Sequence, residues 1–142
     1  MEAGSYAPSG MNQQSAKAVV VQSPEYMQEL VQLAQTVSGN LKNPFYDAPT
    51  VILVFARSSN LTPTEDGCLA IENMFLAAQS LGIGTCWIYA SKMMFSHPNG
   101  VQFQKKLGVP EEYKIVGAVA AGYPDGEKPQ PKPRIGTFYT IV

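Results

Sequence analysis

The sequence predicts one domain in which β-strands and α-helices alternate. Its 142 residues suit a single core that buries roughly 68–70% of the surface of the unfolded chain. Runs of consecutive apolar and β-branched residues indicate strands, and two longer apolar segments that begin near a proline indicate helices. Hydrophobic residues make up 45% of the chain and charged residues only 15%. Because charged residues are so few, we expect an oligomer that covers part of the surface.

The first two elements are a strand and a helix. Residues 17–22 (KAVVVQ) carry consecutive β-branched side chains, which predicts a strand that is buried on both faces. Ser23 suits the N-cap of the following helix, and Pro24 suits its first position because that position needs no N–H donor. Apolar residues continue at helical spacing as far as Val37, and Gly39-Asn40 predicts the end of the helix.

The middle of the chain predicts a central strand and a long helix. Residues 50–56 (TVILVFA) form the clearest buried strand of the sequence. Thr62-Pro63-Thr64-Glu65 has the pattern of a capping box with proline at the first helical position, and it predicts a helix to about Leu81. Apolar side chains surround most of this helix, which indicates burial on several sides. Either a second subunit covers one of its faces, or it is a single helix at the centre of the core.

The last part of the chain contains two more strands, a short helix and a polar arm. Residues 84–90 (GTCWIYA) and 114–121 (KIVGAVAA) are predicted strands, with a short helix at 100–107 between them. The segment 127–134 is polar and rich in proline, so we expect it to follow an extended path over a surface. Residues 137–142 predict a short strand at a sheet edge.

Composition argues against several classes of function. The net charge is −1 and the basic residues are scattered, so we expect no binding of nucleic acid. His97 is the only histidine and no Cys-x-x-Cys spacing occurs, which argues against a metal site and leaves His97 as a solvated turn residue. The apolar runs are shorter than the roughly 18 residues of a membrane span, so we expect neither insertion nor secretion. Cys68 and Cys86 lie in apolar segments and favour a reducing compartment, the cytoplasm.

The segment Ala7-Pro8-Ser9-Gly10-Met11-Asn12-Gln13-Gln14 is the strongest candidate for a binding loop. Pro-Ser-Gly cannot continue a helix, so Ser9, Asn12 and Gln14 present short hydrogen-bonding groups ahead of the first strand. An amide in this position suits the edge of a flat heterocycle such as a flavin or a nucleobase. The alternative is an ordinary turn whose amides cap backbone groups.

Two further segments are suited to a cofactor that supplies its own chemistry. A glycine-rich turn leads into the aromatic strand at residues 82–90, and Lys132 and Arg134 on the polar arm are suited to a phosphate. The sequence names no base beside Cys86, so a thiol enzyme that uses Cys86 as its nucleophile is a lesser hypothesis. A cofactor that brings its own reactivity fits this set, which is poor in acids and bases.

Together, five segments of the chain resemble the FMN-dependent nitroreductase family. They are residues 2–16 (EAGSYAPSGMNQQSA), Asp47-Ala48-Pro49, residues 77–88 (AAQSLGIGTCWI), Gly122-Tyr123-Pro124 and Lys132-Pro133-Arg134. The resemblance implies an α+β fold in which helices flank a mixed, mainly antiparallel sheet, in an intertwined homodimer with FMN at the interface. It also implies ping-pong transfer of two electrons from NADH or NADPH to a nitro compound, a quinone or a similar acceptor.

The same resemblance implies which residues contact the cofactor. Pro8, Ser9, Asn12 and Gln14 belong to the segment that contacts the flavin in the family. The family positions of Ile88, Tyr89 and Ala90 bring a backbone N–H to flavin N5, and those of Lys132 and Arg134 reach the phosphate. Family members rely on the FMN for the chemistry, so no catalytic side chain is expected here.

The chain departs from the family pattern at two places. Ser15-Ala16 stands where many relatives have Pro-Trp, a difference that bears on the acceptor. By this resemblance we expect residues 1–142 to form one nitroreductase-like domain that lacks the family's N-terminal arginine-rich segment and first helix, as a truncated member would. Losing two charged hydrogen bonds to the phosphate weakens FMN binding by about 3–6 kcal/mol. An alternative is therefore a weak or inactive module that binds flavin or another protein and keeps the dimeric fold.

Overall fold

The computed structural model describes residues 1–127 and 130–142. Lys128 and Pro129, which belong to the predicted proline-rich arm, lie outside the described residues. Four strands are described: β1 (Ala16–Val21), β2 (Thr50–Arg57), β3 (Gly84–Ile88) and β4 (Tyr113–Gly122). The described helices are α1 (Glu2–Ser5), α2 (Pro24–Val37), α3 (Pro63–Ser80), α4 (Ala90–Ser96) and α5 (Pro98–Lys106), with a short 3-10 helix at Gly10–Asn12.

The described strands form one antiparallel sheet in the order β1-β2-β4-β3. Ala16 pairs with Ala56, and Ala56 pairs with Lys114. These three residues mark one end of the sheet, which we call the Ala56 end. The register of β2 and β4 shifts between Val54 and Phe55, where β4 has an extra residue.

Helices cover the two faces of the sheet unequally. On one face the alternating side chains of β2 and β4 pack into a large core with α2, α4 and α5, which includes Leu53, Phe55, Phe95 and Phe103. On the other face α3 packs over a smaller cluster that includes Ile52, Val54 and Ile71. The second face therefore has less helix over it, and apolar side chains remain exposed there, among them Leu76 and Leu81.

The structure confirms the α+β class and most of the predicted elements. The strands at 17–22, 50–56 and 114–121 correspond to β1, β2 and β4, and the two long helices begin at Pro24 and Pro63 as predicted. β2 lies between β1 and β4, and its residues 51–56 are all buried. In these segments local propensity and burial favour the same element, so the pattern is unambiguous.

The prediction that the first strand is buried on both faces was wrong. Lys17 and Ala18 are exposed, and Val20 keeps 43% of its surface exposed. β1 is an edge strand that pairs only with β2 in the described sheet, so its side chains receive cover from one neighbouring strand. Consecutive valines indicate a strand, but they do not reveal whether a helix lies over both of its faces.

Two predictions for the last part of the chain also need correction. The strand expected at 84–90 ends at Ile88, and Ala90 begins α4, a helix that was not predicted. The helix expected at 100–107 is α5, which begins two residues earlier at Pro98. No strand forms within residues 137–142, which are exposed in this chain. This segment pairs with neither edge strand of the described sheet, β1 or β3.

Two sequence interpretations concern single side chains. Cys86 is exposed on β3, so it is not the buried hydrophobe that its apolar neighbours indicated, whereas Cys68 is half-buried. His97 is half-buried and its Nδ1 accepts a hydrogen bond from Asn99 N (3.2 Å), so it caps α5 and is not a freely solvated turn residue. Among the described residues, no helix has the length and apolar character needed to cross a membrane.

Candidate functional site

The loop at residues 7–15 adopts an unusual backbone conformation. Met11, Asn12 and Gln14 have positive φ values of 53°, 53° and 48°. Residues other than glycine rarely occupy this left-handed region, and each costs of order 1–3 kcal/mol unless surrounding contacts enforce it. Asn12 and Gln14 are exposed, and their side chains lie beside each other with Gln14 Nε2 3.4 Å from Asn12 Oδ1. The loop therefore holds two amides together at the surface.

A buried carboxylate, Asp66 on the first turn of α3, holds this loop in place. Asp66 is only 3% exposed. Its Oδ1 accepts hydrogen bonds from Gly10 N (2.9 Å) and Thr62 Oγ1 (2.8 Å), and its Oδ2 accepts one from Ser15 Oγ (2.5 Å). One side chain thus connects both ends of the 10–15 segment to the start of a helix. Such charge-assisted bonds are roughly twice as strong as neutral ones.

Because of the same hydrogen bonds, the predicted capping box does not form. The Thr62 hydroxyl donates to Asp66 instead of accepting from a backbone N–H of the first turn. Pro63 begins the helix as expected, so the boundary was right and the hydrogen bonding was wrong. Gly10 is required at its position by proximity, because an added Cβ would lie 2.1 Å from Thr62 Oγ1.

Hydrogen bonding keeps Asp66 ionised. Burial raises the pKa of this carboxyl, but the hydrogen bonds from Ser15, Gly10 and Thr62 together outweigh burial and hold the pKa below its ordinary value of 3.8. The folded state therefore favours the carboxylate more than the unfolded state does.

This depressed pKa predicts a loss of stability in acid. The ionised Asp66 stabilises the folded state fully above its ordinary pKa. This stabilisation is lost as pH falls through the pKa of Asp66 in the folded state, which lies below 3.8. We expect the free energy of unfolding to fall below about pH 4 with a contribution from Asp66 of at most about 1.4 kcal/mol per pH unit. Urea denaturation from pH 6 to pH 2.5 measures it. An Asp66→Asn variant with the same acid dependence as the wild type would contradict the assignment.

A second attachment fixes the centre of the loop. Leu61 N donates to Gln13 Oε1 (3.2 Å), and Arg57 N donates to Ser15 O (3.2 Å). The loop is therefore bonded to the segment between β2 and α3 at several points, and Asn12 and Gln14 project away from it. These bonds hold the loop in one conformation, and pre-organisation of this kind is what a binding loop requires.

The second predicted segment lies where β3 passes into α4. The Ile88 side chain is 4% exposed and belongs to the large core, so only its backbone is available to a ligand. Tyr89 is 66% exposed and Ala90 is half-buried. Ser91 is completely buried, and its Oγ donates to Ile88 O (2.8 Å), which fixes the turn. The first N–H groups of a helix have no intrahelical acceptor, so this turn offers backbone donors.

The loop lies at the Ala56 end of the sheet. The Tyr89 turn follows β3 at the opposite edge, and β3 ends part-way along the sheet, where Ile88 pairs with Ala118 and Ala118 pairs with Leu53. The loop precedes Ala16 at the start of β1, and β3 runs from its Gly84–Gly122 pair toward its Ile88–Ala118 pair. Three strand spacings of about 4.8 Å each separate β1 from β3, which is roughly 14 Å. One chain therefore holds the two segments apart, on opposite edges of the described sheet.

The third predicted segment is the polar arm. Lys132 and Arg134 are exposed, as are all the described residues from 130 to the end of the chain. Ile135 and Phe138 are fully exposed, each with 102% of the surface that the same residue has in an extended peptide. The arm therefore carries its two cations on the surface of the single chain.

Other chemistries find little support. No group of three or more His, Cys, Asp or Glu side chains suited to a metal occurs in the part of the chain that the structure describes. Cys86 Sγ lies 3.7 Å from Trp87 O, and the single histidine caps α5 through its Nδ1. The thiol hypothesis therefore lacks a base for Cys86.

Sequence reasoning missed Asp66, Ser15 and Thr62 as the support of the loop. An acidic residue in the first turn of a helix is ordinarily a solvated residue that favours the helix dipole. The link between Gly10 and Asp66 spans 56 residues, so no local pattern reveals it. The apparent departure at Ser15 has a structural role here, because the Ser15 hydroxyl donates to Asp66.

Comparisons with known proteins indicate one family. A family model described as the nitroreductase family matches residues 33–123. The crystal structure of a nitroreductase with bound FMN from Bacteroides fragilis is 34% identical and has a TM-score of 0.90, with 99% of this chain and 83% of that chain covered.

Two curated proteins are also similar. One is a protein from Archaeoglobus fulgidus that is named provisionally as an NADH dehydrogenase/NAD(P)H nitroreductase. It is 29% identical over 133 residues, and the match covers 90% of this chain and 72% of the length of that protein. The other is an iodotyrosine deiodinase from Thermotoga neapolitana. It is 26% identical over 144 residues, and the match covers 87% of this chain and 74% of the length of that protein.

Proposed function

Because this chain belongs to the nitroreductase family, we propose that it is an FMN-dependent oxidoreductase. It takes two electrons from NADH or NADPH and passes them to a nitro compound, a quinone or a similar acceptor. The observation that carries the proposal is the loop at 7–15, in which Asp66 holds left-handed residues and presents amides to solvent. The similar Bacteroides fragilis nitroreductase was crystallised with FMN.

The residues present fit an FMN. The exposed amides of Asn12 and Gln14 offer donors and acceptors in a plane, as the edge of a flavin requires. Pro8 and Ser9 form the start of that loop, and Ser9 Oγ accepts from Gln14 N (2.9 Å), which fixes Gln14. The backbone at Ile88, Tyr89 and Ala90 offers N–H donors for flavin N5, and Lys132 and Arg134 offer cations for the phosphate.

The protein's own contribution is to bind and to position. The bound FMN supplies the two-electron chemistry. The amides of the loop and the backbone of the Tyr89 turn orient the heterocycle, while the exposed Tyr89 side chain flanks the position that hydride donor and acceptor enter in turn. Such alternation of donor and acceptor at one site is a ping-pong mechanism.

The complete site requires two copies of the chain. Within one chain three strand spacings, roughly 14 Å, separate the two edge strands that carry the loop and the Tyr89 turn, and the arm that carries Lys132 and Arg134 is exposed. Leu76 (62% exposed) and Leu81 (69% exposed) also lie on the more open face of the sheet. Exposed apolar groups of this kind mark protein interfaces.

We therefore expect a homodimer in solution. Light scattering after size-exclusion chromatography measures its mass, which we expect to be twice the 15.4 kDa of one chain. Leu76→Asp places a charge on the exposed apolar face of α3 and is expected to shift the mass toward one chain, whereas Glu72→Gln on the same helix is the control. A wild-type mass of 15.4 kDa at micromolar concentration would contradict the two-chain site.

Turnover tests the proposed activity. The full chain is mixed with FMN, and oxidation of NADH and NADPH is followed with a nitroaromatic or a quinone acceptor. We expect a saturable rate above that of the same concentration of free FMN. Saturable FMN binding without any such rate would instead support the alternative, a flavin-binding module that has lost catalysis.

A further inference from the structure

A basic pocket of about 520 Å³ lies beside the Tyr89 turn, between α4, α5 and the start of β4. Phe95 and Gln104, which are 6% and 7% exposed, form its inner wall. Lys92, Lys105 and Lys114 line its opening, each from a different element.

The pocket is built and not merely a gap between surface lysines. The buried Gln104 donates through Nε2 to Pro110 O (2.9 Å) and to Tyr113 O (2.8 Å). These two bonds fix the turn that leads into β4, and this turn places Lys114 at the opening. A single buried side chain thus determines the geometry of one wall.

The pocket carries a net positive charge. Glu111 is the acidic residue that lines it, and Glu111 Oε1 lies 2.7 Å from Lys105 Nζ. The hydrogen bond from Lys105, together with the charges of Lys105 and Lys114, holds the pKa of Glu111 below its ordinary value. Three lysines and one carboxylate leave a charge of about +2 at neutral pH.

The pocket is next to the proposed flavin site. Lys92 Nζ lies 5.4 Å from the centroid of the Tyr89 ring, so one lysine contacts the turn that we assign to flavin N5. Lys114 pairs with Ala56 at the Ala56 end of the sheet, four residues along β4 from Ala118, which pairs with Ile88. Arg57 adds a further cation at this end, where its Nη2 donates to Tyr113 Oη (3.0 Å).

We propose that this pocket binds the phosphate groups of the nicotinamide dinucleotide that donates the hydride. The inference rests on the proposed function, since it places the donor's phosphates beside the Tyr89 turn. Lysines are mobile point charges that suit phosphate oxygens, and the apolar wall at Phe95 suits the less polar parts of a dinucleotide. NADPH carries one more phosphate than NADH, so the chain prefers NADPH.

The test removes the pocket's cations and measures use of the donor. With FMN saturating, the KM for NADPH in a variant that combines Lys92→Gln, Lys105→Gln and Lys114→Gln is expected to rise at least about tenfold. With 1-benzyl-1,4-dihydronicotinamide, a phosphate-free hydride donor, the rate of the Lys105→Gln and Lys114→Gln double variant, which keeps Lys92 beside Tyr89, is expected to stay unchanged. Lys42→Gln, an exposed lysine outside the pocket, is the control.

Direct binding separates this inference from the proposed function. NADP+ is titrated into the full chain and its dissociation constant is measured by calorimetry for the wild type, the triple variant and the control. If the chain shows no flavin-dependent turnover but NADP+ binding still depends on the three lysines, the proposed function fails and the pocket assignment stands.

Other outcomes overturn the assignment. An unchanged KM for NADPH and an unchanged dissociation constant for NADP+ in the triple variant would do so. An equal loss in Lys42→Gln would show a general charge effect instead of a site. Inorganic pyrophosphate that binds as tightly as NADP+ would show an anion site without preference for the dinucleotide.

Discussion

Asp66→Asn is expected to lower the free energy of unfolding by about 2–4 kcal/mol and to raise the dissociation constant of FMN at least about tenfold. An asparagine has the same shape but only one acceptor oxygen. In either orientation of the amide, an NH₂ group faces Ser15 Oγ or faces both Gly10 N and Thr62 Oγ1. In the better of these orientations the NH₂ group donates to Ser15 Oγ, and the buried Ser15 hydroxyl hydrogen loses both its acceptor and the carboxylate charge.

Asp66→Asn is expected to weaken FMN binding because the loop relaxes. The left-handed conformations of Met11, Asn12 and Gln14 persist only while surrounding contacts enforce them. When Asp66 no longer holds both ends of the segment, fewer molecules have the competent loop, and the apparent affinity falls by that fraction.

Two measurements check this prediction. Urea denaturation gives the free energy of unfolding at one fixed protein concentration, and quenching of flavin fluorescence gives the dissociation constant. Glu65→Gln is the matched control, because Glu65 is the exposed acidic neighbour in the same helical turn. If Asp66→Asn and Glu65→Gln behave alike in both assays, Asp66 does not organise the loop.

The second large effect concerns the phosphate of FMN. Replacing both Lys132 and Arg134 with glutamine is expected to raise the dissociation constant of FMN by about 10²–10⁴-fold, since each charged hydrogen bond contributes roughly 1.5–3 kcal/mol. Both side chains are exposed in the single chain, so the fold is expected to tolerate the change.

Riboflavin, which lacks the phosphate, gives the matched measurement. Its dissociation constant is expected to be the same for the wild type and the double variant. Lys42→Gln, another exposed lysine, is expected to leave both flavins unaffected. An equal loss of FMN and riboflavin affinity in the double variant would show that the arm contributes structure or dimer contacts and not a phosphate site.

The elements that sequence predicts well are those in which local pattern and tertiary burial agree. β2 is a run of apolar and β-branched residues, and it lies at the centre of the sheet with residues 51–56 buried. Pro24 and Pro63 begin their helices as their fixed φ angle favours. α4 was not predicted because Tyr89 and Ala90 continue the apolar run of β3 without a turn residue, and a helix of seven residues is too short to show a clear helical period.

The site is harder to predict because its support comes from distant residues. Pro-Ser-Gly and the following amides indicate a loop, and the loop is where the sequence placed it. Nothing local to that segment shows that a carboxylate 56 residues away fixes its ends. The basic pocket has the same character, since Lys92, Lys105 and Lys114 are scattered in sequence and meet only because α4, α5 and β4 pack together.

Equilibrium titration of the full chain with FMN tests the central claim most directly. We expect saturable quenching of flavin fluorescence with one FMN for each chain. We also expect a melting temperature that rises with FMN concentration, because a ligand that binds only the folded state stabilises it. A chain that quenches no flavin fluorescence and keeps the same melting temperature at millimolar FMN would contradict it.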